Sequence, residues 1–413
     1  MASPLKLGIA GLGTVGGAVA RLIEQQREAL AARCGRTIEL VAVSARSRSK
    51  RRDFDHKRLR WVADPVALAT DRGIDVFVEL IGGEGDPAKA AVAAALAAKK
   101  SVVTANKALL ARHGTALATI AEKNHVALNF EAAVGGAIPI VKTLREGLAG
   151  NSPARVYGIL NGTCNYVLTR MEEEKLTFAE CLKEAQRLGY AEADPTFDVE
   201  GISSIASEDL EWADELGYRV KLLGVAVRTD KGIEQRVHPT MVPKDSAIAQ
   251  VMGVTNAVTI DADAMAPITL VGPGAGGAAT ASAVVSDIGD IARGVRTAPF
   301  GRPSALLTTS KKAPMQRHEG GYYIRLLAVD KPGTAATIAK RLAQQNISLE
   351  SIVQRHRGER PHGGDVAGRS GVPVPVILIT YATTEDAVRK ALAAVGRDRV
   401  ISGKPQVIRI EKN

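Results

Sequence analysis

The chain has 413 residues, more than one ordinary hydrophobic core can hold, so we expect two or three domains. Apolar residues make up 46% of the chain, which argues against gross disorder, and no apolar run is long enough to cross a membrane. The formal net charge is +10, which leaves nucleic acid, membrane surfaces and anionic small molecules open as partners.

Cysteine usage predicts a reducing compartment. The three cysteines, Cys34, Cys164 and Cys181, follow no metal-binding or disulfide spacing. The N-terminal stretch MASPLKLGIAGLG lacks the apolar core of a secretory signal. We therefore expect a cytoplasmic protein.

The first predicted elements are a strand, a glycine turn and a helix. Lys6–Ala10 forms a short buried strand, GLGTVG follows, and an alanine-rich helix runs from about Val15 to Leu30. In a dinucleotide-binding fold Gly11 makes the tight turn, Gly13 lets pyrophosphate approach the backbone, and Gly16 lets helix and strand pack closely. The helix N-terminus then faces the phosphates. A tight strand–helix turn without a ligand is the alternative.

The end of the second strand bears on cofactor choice. After Ile38–Val43, where an NAD-selective fold carries an acid, the chain has arginine and a basic run, Ala45–Arg60. An arginine there can pair with a 2′-phosphate, so we predict NADP over NAD, with Arg46 first and Lys50 second. No aromatic platform is interleaved with these charges, so we expect no nucleic-acid binding; such binding would depend steeply on salt.

Strands and helices continue to alternate through residue 130. IDVFVELIGG, SVVTANKALL and Val126–Phe130 contain strands, and Pro87–Lys99 forms a helix. This alternation predicts an α/β doubly wound sheet. The motif TANK places Lys107 just beyond the carboxyl end of its strand, in the crevice where such sheets bind ligands. A surface lysine that begins a helix is the alternative.

The middle of the chain carries long motifs. They are NFEAAVGGAIPIVKTL, GILNGTCNYVLTRM, LGYAEADPTFDVEG and GPGAGGAATASAVVSDI. With GLGTVG, ELIGG and VVTANK, they resemble homoserine dehydrogenase of the bacterial long form over almost the whole chain. The resemblance implies NAD(P)H-dependent reduction of L-aspartate 4-semialdehyde to L-homoserine, in threonine and methionine biosynthesis.

The resemblance also implies roles for individual residues. Besides Gly11, Gly13 and Gly16, the positions that match cofactor contacts are Leu12, Thr14, Val15, Gly189 and Gly274. The positions that match a monovalent-cation site for sodium, built largely from backbone carbonyls, are Glu131, Val134, Gly136 and Ile138.

The implied chemistry uses one lysine and two acids. Lys107 matches a lysine near both nicotinamide and substrate, where an ammonium can stabilise an alkoxide and deliver its proton. Glu192 matches a substrate contact and can bind the substrate ammonium, and Asp198 lies in the same acidic segment.

The chain departs from the family pattern after DPTFDVEGI. The family continues with an aspartate and, four residues later, a lysine, which lie on one helix face. This chain has Ser203 and Ser207 instead, and its next segment, SSIASEDLEWADELGYRVKLLGVAV, resembles a later part of the pattern. The tetrapeptide VEGI fits the family pattern both before and after the part that this chain skips. We therefore expect that a catalytic helix is skipped, that activity is severely reduced, and that apolar surface on the middle sheet is uncovered.

The acidic segment that follows the skipped part predicts a helix. In SEDLEWADELG, Ser207 is the expected N-cap, and Glu208 and Asp209 lie in the first turn, where the helix dipole favours anions. The remaining acids, Glu211, Asp214 and Glu215, are expected on a solvated face.

The C-terminal region has the order βαββαβ, typical of a ferredoxin-like fold. Its strand Tyr322–Val329, helix Ala335–Gln345 and strand Ser348–Arg355, with the segments DKPG and NIS, resemble the ACT domain. The resemblance implies L-threonine as an allosteric ligand, held at the turn Asp330–Thr334, and a homodimer or homotetramer. A purely structural dimerisation module is the alternative. His356 and His362 are expected to be solvent-exposed.

These observations predict three domains: a Rossmann-type NAD(P)-binding domain over residues 1–133, an α+β catalytic domain over 134–316 and an ACT domain over 320–413. Residues 276–300 are expected to return to the first domain. The predicted function is that of homoserine dehydrogenase, with no membrane partner. The alternative is a non-catalytic relative that binds cofactor and senses an amino acid. Ser203 and Ser207 are the residues that distinguish this alternative from an active enzyme.

Overall fold

The computed structural model describes residues 3–191, 199–230, 232–308, 319–354 and 373–411. The chain forms two compact units: Met1–Pro153 with Ala262–Thr309, and Ala154–Asp261 with Ser310–Asn413. Within the described residues, no helix is both long and apolar enough to cross a bilayer.

Strands and helices alternate along most of the chain. The strands are β1 (Leu5–Ala10), β2 (Ile38–Ser44), β3 (Arg60–Trp61), β4 (Val76–Glu79), β5 (Ser101–Thr104), β6 (Leu128–Asn129), β7 (Pro153–Ile159), β8 (Tyr218–Thr229), β9 (Gly232–Pro243), β10 (Asn256–Ala262), β11 (Met265–Gly272), β12 (Glu319–Val329), β13 (Leu349–Gln354), β14 (Pro373–Thr380), β15 (Thr383–Thr384) and β16 (Ile401–Ile410). The helices are α1 (Thr14–Gln25), α2 (Arg27–Cys34), α3 (Pro65–Thr70), α4 (Ala88–Ala97), α5 (Lys107–Lys123), α6 (Glu131–Val134), α7 (Ile140–Lys142), α8 (Gly162–Glu174), α9 (Phe178–Arg187), α10 (Ser207–Glu215), α11 (Gly277–Ala292), α12 (Thr334–Ala343) and α13 (Glu385–Arg397). Short helical turns cover Thr143–Gly147, Glu200–Ile202 and Ser304–Leu306.

The first unit is built on a parallel sheet in the order β3-β2-β1-β4-β5-β6. This is the strand order of the Rossmann fold. The chain adds β2 and β3 on one side of β1 and then returns to add β4, β5 and β6 on the other side. Both faces of the central strands are covered by apolar side chains, which explains why Leu7–Ala10 of β1, Val76–Val78 of β4 and Val102–Val103 of β5 are all apolar or glycine. The predicted doubly wound sheet is confirmed.

The first helix is shorter than the sequence pattern predicts. The pattern predicts a single helix to about Leu30, but α1 ends at Gln25 and α2 begins at Arg27, because the backbone at Gln26 (φ −105°, ψ 18°) is not helical. The second helix brings buried Cys34 to α11, where its Sγ lies 3.8 Å from the Gly289 carbonyl oxygen. This packing against a distant helix is not visible in the local pattern.

The second unit contains a mixed sheet in the order β10-β7-β8-β9-β16-β12-β14-β13. Its centre is the long antiparallel hairpin β8–β9. The ACT part has the predicted βαββαβ order, with β12 between β14 and β16. Strand β16 then pairs in parallel with β9 through Arg409 and Ile410, so the ACT sheet and the middle sheet are continuous.

The acidic helix differs from its prediction in two ways. The residue before α10 is Ala206, so the predicted N-cap Ser207 is wrong; its hydroxyl instead donates to the Leu176 carbonyl at 3.0 Å. Asp209 is fully buried and accepts hydrogen bonds from Arg325 Nε at 2.6 Å and Tyr323 Oη at 3.0 Å. A distant strand thus supplies the cation for this acid.

The rest of α10 behaves as predicted. Glu211, Asp214 and Glu215 are exposed on the outer face of the helix, and Asp214 pairs with Lys244. Gly217 follows the helix with a left-handed backbone (φ 81°), which glycine adopts without strain.

Candidate active site

The glycine turn between β1 and α1 is closed by backbone contacts that require glycine. Gly11 has φ 101°, and a Cβ there would clash with the Leu80 carbonyl. A Cβ on Gly16 would clash with the Gly11 carbonyl. At Gly13 a Cβ would meet no atom within 4 Å, so the surface beside it is open. The turn therefore packs tightly on one side and offers free space on the other.

The N-terminus of α1 faces that space without a side-chain cap. Gly13 is the N-cap residue and the first turn carries no acid, so backbone N–H groups and the positive dipole end remain for an anion. Leu12 is buried in the core of the unit and Val15 packs against that core. These two side chains thus fix the turn to the core. The part of the turn that stays accessible to an anion such as a pyrophosphate is its main chain.

A second glycine-rich segment packs on this turn. Gly136 and Gly274 exchange backbone hydrogen bonds of 2.8 and 3.0 Å, and α11 starts three residues later. A Cβ built on Gly277 would lie 3.0 Å from Thr14 Cγ2. The fold therefore brings Gly136, Gly274 and Thr14, far apart in sequence, to one end of α1.

The loop after β2 exposes the two residues predicted to select NADP. Arg46 and Lys50 are solvent-exposed at the carboxyl edge of the sheet. Arg52 holds this loop, donating to the carbonyls of Ser47 at 2.7 Å and Lys50 at 2.9 Å. The sequence pattern missed this structural role, since it treats every arginine of the run alike.

Lys107 begins α5 at the same edge of the sheet. It is exposed, and the preceding Asn106 caps the helix, accepting from the Leu109 N–H at 3.1 Å. The Asn106 amide also donates to the Gly83 carbonyl at 2.7 Å, which ties the start of α5 to the turn after β4.

Buried Glu79 at the end of β4 completes this edge, and sequence reasoning missed it. Its carboxylate accepts from Thr104 Oγ1 at 2.5 Å and from the backbone N–H groups of Ile81 and Gly82 at 2.7 and 3.0 Å. It therefore links the ends of β4 and β5, just before Lys107. An acid three residues before Gly82, in the motif ELIGG, was the available signal.

Glu131 is buried, and its carboxylate is engaged by the main chain. It accepts from the N–H groups of Val141 at 2.8 Å and Lys142 at 2.9 Å, closing the loop that contains Val134, Gly136 and Ile138. Burial raises the pKa of Glu131, and these two N–H donors act in the opposite direction. No cluster of three or more metal-binding side chains occurs in the part of the chain that the structure describes.

Asp287 of α11 contacts the start of the loop that Glu131 closes, a role that no local sequence pattern indicated. Its carboxylate accepts from the Glu131 N–H at 2.9 Å and lies 3.6 Å from Lys142 Nζ. Burial raises its pKa to about 7. The contact between residues 131 and 287 joins the middle of the chain to the return helix.

The predicted substrate residues Glu192 and Asp198 lie outside the described residues. Gly189, in the second unit, follows α9 with φ 76°, and its N–H donates to the Gln186 carbonyl at 3.0 Å. Ser203 is exposed just after the helical turn Glu200–Ile202, and Ser207 begins α10. The two serines therefore do not share one helix.

The turn predicted to bind an amino acid joins β12 to α12. Gly333 is left-handed (φ 90°) and precedes the helix. The Thr334 hydroxyl donates to the Val329 carbonyl at 2.8 Å, and its N–H donates to the Lys331 carbonyl at 3.2 Å. His356 and His362 lie outside the described residues.

Comparison with known proteins places these features in a family. The model described as "Homoserine dehydrogenase, NAD binding domain" matches residues 11–131, that described as "Homoserine dehydrogenase" matches 139–206 and again 199–288, and the ACT domain matches 322–396.

Individual relatives agree with these matches. A homoserine dehydrogenase of Neisseria gonorrhoeae is 40% identical over 442 aligned positions, covering 99% of each chain. A crystal structure of a homoserine dehydrogenase from Thiobacillus denitrificans has a TM-score of 0.88 at 38% identity, covering 99% of this chain and 98% of that one. A hyperthermophilic archaeal homoserine dehydrogenase in complex with NADPH has a TM-score of 0.57 at 26% identity, covering 70% of this chain and 97% of that one. The chain belongs to the homoserine dehydrogenase family of oxidoreductases, with a Rossmann-type NAD-binding domain and a C-terminal ACT domain.

Proposed function

We propose that this chain binds NADP(H) on its glycine turn and interconverts L-aspartate 4-semialdehyde and L-homoserine with strongly reduced turnover. The observation that carries the proposal is the uncapped start of α1 beside the open side of Gly13, onto which the Gly274 segment packs. Bound NADPH would supply the hydride. The protein supplies binding, orientation and charge.

The phosphates would lie at the helix N-terminus, held by main-chain N–H groups of the turn. Leu12, Thr14 and Val15 would contribute backbone contacts there. Gly189 and Gly274 are the remaining proposed cofactor contacts.

Cofactor selectivity is proposed to depend on Arg46, with Lys50 as a second cation. Arg46→Ala is expected to weaken NADP by about tenfold and NAD very little, since one charge-assisted hydrogen bond is worth about 1.5–3 kcal/mol before solvent screening. Arg48→Ala, an exposed arginine in the same loop, is the control. Titrations of intrinsic fluorescence with both cofactors measure the ratio. Tighter binding of NAD than of NADP by the unmodified chain would contradict the assignment.

Lys107 is the proposed proton donor. Its exposed ammonium at the crevice edge can stabilise an alkoxide and protonate it. Glu192 and Asp198 are proposed to bind the ammonium of the amino-acid substrate. Lys107→Met is expected to abolish residual turnover while NADP still binds.

Reduced turnover is proposed because Ser203 and Ser207 replace a charged pair. A serine hydroxyl is neutral at pH 7 and can neither neutralise an alkoxide nor bind an ammonium as a carboxylate does. The Ser207 hydroxyl also donates to the Leu176 carbonyl, and Ser203 and Ser207 do not lie on the same helix. Steady-state assays with homoserine and NADP test this: turnover equal to that of the Neisseria gonorrhoeae relative would refute the impairment.

The same geometry makes a sharper test possible. If Ser203 and Ser207 merely lacked charge, the double substitution Ser203→Asp with Ser207→Lys would restore activity. Because the two positions are not on one helix, we expect no restoration. Ser203→Lys with Ser207→Asp is the control, since it places the same two charges at the same two positions in exchanged order.

A sodium ion is proposed to bind carbonyls of the loop that Glu131 closes, with Val134, Gly136 and Ile138 as the residues involved. Carbonyl oxygens have two lone pairs, so the bond that Gly136 accepts from Gly274 leaves one for a cation. The expected result is higher thermal stability in sodium than in tetramethylammonium chloride at equal ionic strength. Equal stability would remove the cation from the proposal.

The ACT domain is proposed to bind L-threonine at Asp330–Thr334 and to mediate homodimers or homotetramers. Threonine should raise the melting temperature, while D-threonine serves as the control ligand. Sizing by light scattering tests the assembly, and a monomer at micromolar concentration would oppose it. The buried free thiols of Cys34, Cys164 and Cys181 support a reducing, cytoplasmic location.

A second candidate is a non-catalytic relative that binds cofactor and senses an amino acid. The replacement by Ser203 and Ser207 favours it. Single-turnover mixing at high enzyme concentration separates the candidates: product formed within one turnover identifies a slow enzyme, whereas none, with intact NADP and threonine binding, identifies the sensor.

A further inference from the structure

The basic loop that follows β2 begins and ends beside the glycine turn. At its start, the Ser44 carbonyl accepts a hydrogen bond from the Gly11 N–H at 2.8 Å. At its end, Asp53 pairs with Arg21 of α1. A Cβ built on Gly17, the fourth residue of α1, would lie 3.8 Å from Asp53 Oδ1. The loop therefore borders the site proposed for the cofactor phosphates at both of its ends.

One arginine connects the two sides of this loop from within. Arg52 Nη2 donates to the Ser47 carbonyl at 2.7 Å, and Arg52 Nη1 donates to the Lys50 carbonyl at 2.9 Å. The same guanidinium lies over the ring of Trp61, 5.3 Å from its centroid, which is an attractive cation–π geometry. Trp61 belongs to β3 and is the register partner of Val43 in β2. We call the contacts that Arg52 makes with these two carbonyls and this ring the Arg52 bracket.

Arg52 differs from the other cations of the loop in its surroundings. It is partly buried, whereas the neighbouring cations Arg46, Arg48, Lys50 and Arg51 are exposed to solvent. A planar guanidinium can donate to two carbonyls and stack on an aromatic ring at the same time, which the ammonium of a lysine cannot do. The bracket therefore depends on the shape of the Arg52 side chain as well as on its charge.

The bracket holds the main chain next to both residues that are proposed to select NADP. Arg46 directly precedes Ser47, whose carbonyl is bound, and Lys50 supplies the second bound carbonyl. The Lys50 N–H also donates to Ser47 Oγ at 3.3 Å, so residues 47–50 form a closed turn. A cation on an ordered main chain loses less conformational entropy on binding an anion than a cation on a mobile loop does. The bracket thus prepares Arg46 and Lys50 to bind a phosphate.

We propose that Arg52 is a positioning residue for cofactor selectivity. Through two loop carbonyls it holds Arg46 and Lys50 in place for the 2′-phosphate of NADP, and it does not contact that phosphate itself. The inference rests on the proposed function, in which Arg46 and Lys50 select NADP. Its test measures binding and the order of the loop, so it is independent of turnover.

The experiment compares Arg52→Met, Arg52→Lys and the matched control Arg51→Met by isothermal titration calorimetry with NADP and with NAD, which differ only in the 2′-phosphate. We expect Arg52→Met to weaken NADP binding by about five- to tenfold and NAD binding by less than about twofold, because two side chains must then be ordered on binding. Arg52→Lys should weaken NADP binding equally, since lysine keeps the charge and lacks the planar fork. Arg51→Met removes an exposed charge from the next position and should change either affinity by less than about twofold.

A double-variant background separates positioning from direct contact. In a chain that carries Arg46→Ala and Lys50→Ala, Arg52→Met should weaken NADP binding no further, because the side chains through which Arg52 acts are absent. A further loss of affinity there would overturn the positioning role, since Arg52 would then bind the phosphate itself. Full NADP affinity in Arg52→Lys would also overturn it, since the charge alone would then be sufficient.

Trypsin cleavage reports the order of the loop without any cofactor. The exposed residues Arg48 and Lys50 are cleavage sites, and Arg52→Met should be cut there faster than Arg51→Met, which also removes one basic residue. Equal cleavage rates would show that the bracket does not order the loop. If Arg52→Met keeps full NADP affinity while Arg46→Ala loses it, the inference fails and the proposed selectivity stands. If the unmodified chain binds NAD at least as tightly as NADP, both fail.

Discussion

The buried ion pair between α10 and the ACT strand β12 allows a quantitative prediction. Asp209 is 0% exposed, and its carboxylate accepts from Arg325 Nε at 2.6 Å, Arg325 Nη2 at 3.0 Å and Tyr323 Oη at 3.0 Å. It also accepts from the Ala206 N–H at 2.9 Å, which caps the helix. The perturbation is Asp209→Asn, which removes the charge and keeps the shape.

The expected loss follows from burial. The Arg325 side chain is 16% exposed, so Asp209→Asn leaves a largely buried guanidinium without its main counter-charge. Removing one member of a buried pair typically costs about 3–5 kcal/mol. Glu208 remains 3.9 Å from Arg325 and offsets part of this, so we expect about 3 kcal/mol. Asp214→Asn on the same helix is the control; its side chain is 50% exposed, and its pair with Lys244 should contribute at most about 1 kcal/mol.

Tryptophan fluorescence gives a local readout. The chain has two tryptophans, Trp61 and Trp212, and the latter is buried within α10. In a Trp61→Phe background, urea unfolding followed at Trp212 should shift by about 1 M for Asp209→Asn and hardly at all for Asp214→Asn. Arg325→Met and the double variant complete a mutant cycle, in which the coupling energy should exceed about 2 kcal/mol. Equal midpoints for the two asparagine variants would refute the reasoning from burial.

Two further predictions concern the glycine turn and a buried lysine. Gly16→Ala should lower the melting temperature of the first unit by several degrees, because the new Cβ clashes with the Gly11 carbonyl. Gly13→Ala should weaken NADP binding and leave the stability unchanged, because its Cβ fills open space. Scanning calorimetry with and without NADP distinguishes the two variants, and equal destabilisation by both would contradict the geometry. Lys221, whose Nζ donates to Asn165 Oδ1 at 3.0 Å and to the Val251 carbonyl at 2.6 Å, has its pKa lowered by burial to about 8. Between this pKa and the ordinary 10.5 only the unfolded chain binds the proton, so the free energy of unfolding should rise with pH by about 3 kcal/mol relative to Lys221→Met. Parallel pH curves from urea titrations of the two proteins would exclude this assignment.

Local patterns predicted the fold class because local physics sets it. The apolar run before GLGTVG, the glycines of that turn and the 3.6-residue period of the helices each act over a few residues. The predicted Rossmann sheet and ferredoxin-like ACT order were therefore confirmed. The errors fell where distant packing competes: the helix break at Gln26 and the N-cap at Ala206.

The residues of the candidate site were likewise predictable where they lie in one contiguous motif and not where they depend on distant partners. Lys107 and the glycine turn were predicted to be site residues from motifs, because each motif is contiguous, and these roles too stay predictions. Glu79 was missed because its partner Thr104 is 25 residues away. The roles proposed for Glu192, Asp198 and the cation-site residues stay predictions.

The sequence by itself determined the parallel sheet, the glycine turn at the start of the first helix and the ACT module, since each depends on residues adjacent in the chain. Only the tertiary structure decided which charges are neutralised and which surfaces are covered. Asp209 meets Arg325 across 116 residues, and Gly136 meets Gly274. Burial and charge pairing depend on distances in space, which a local pattern does not contain.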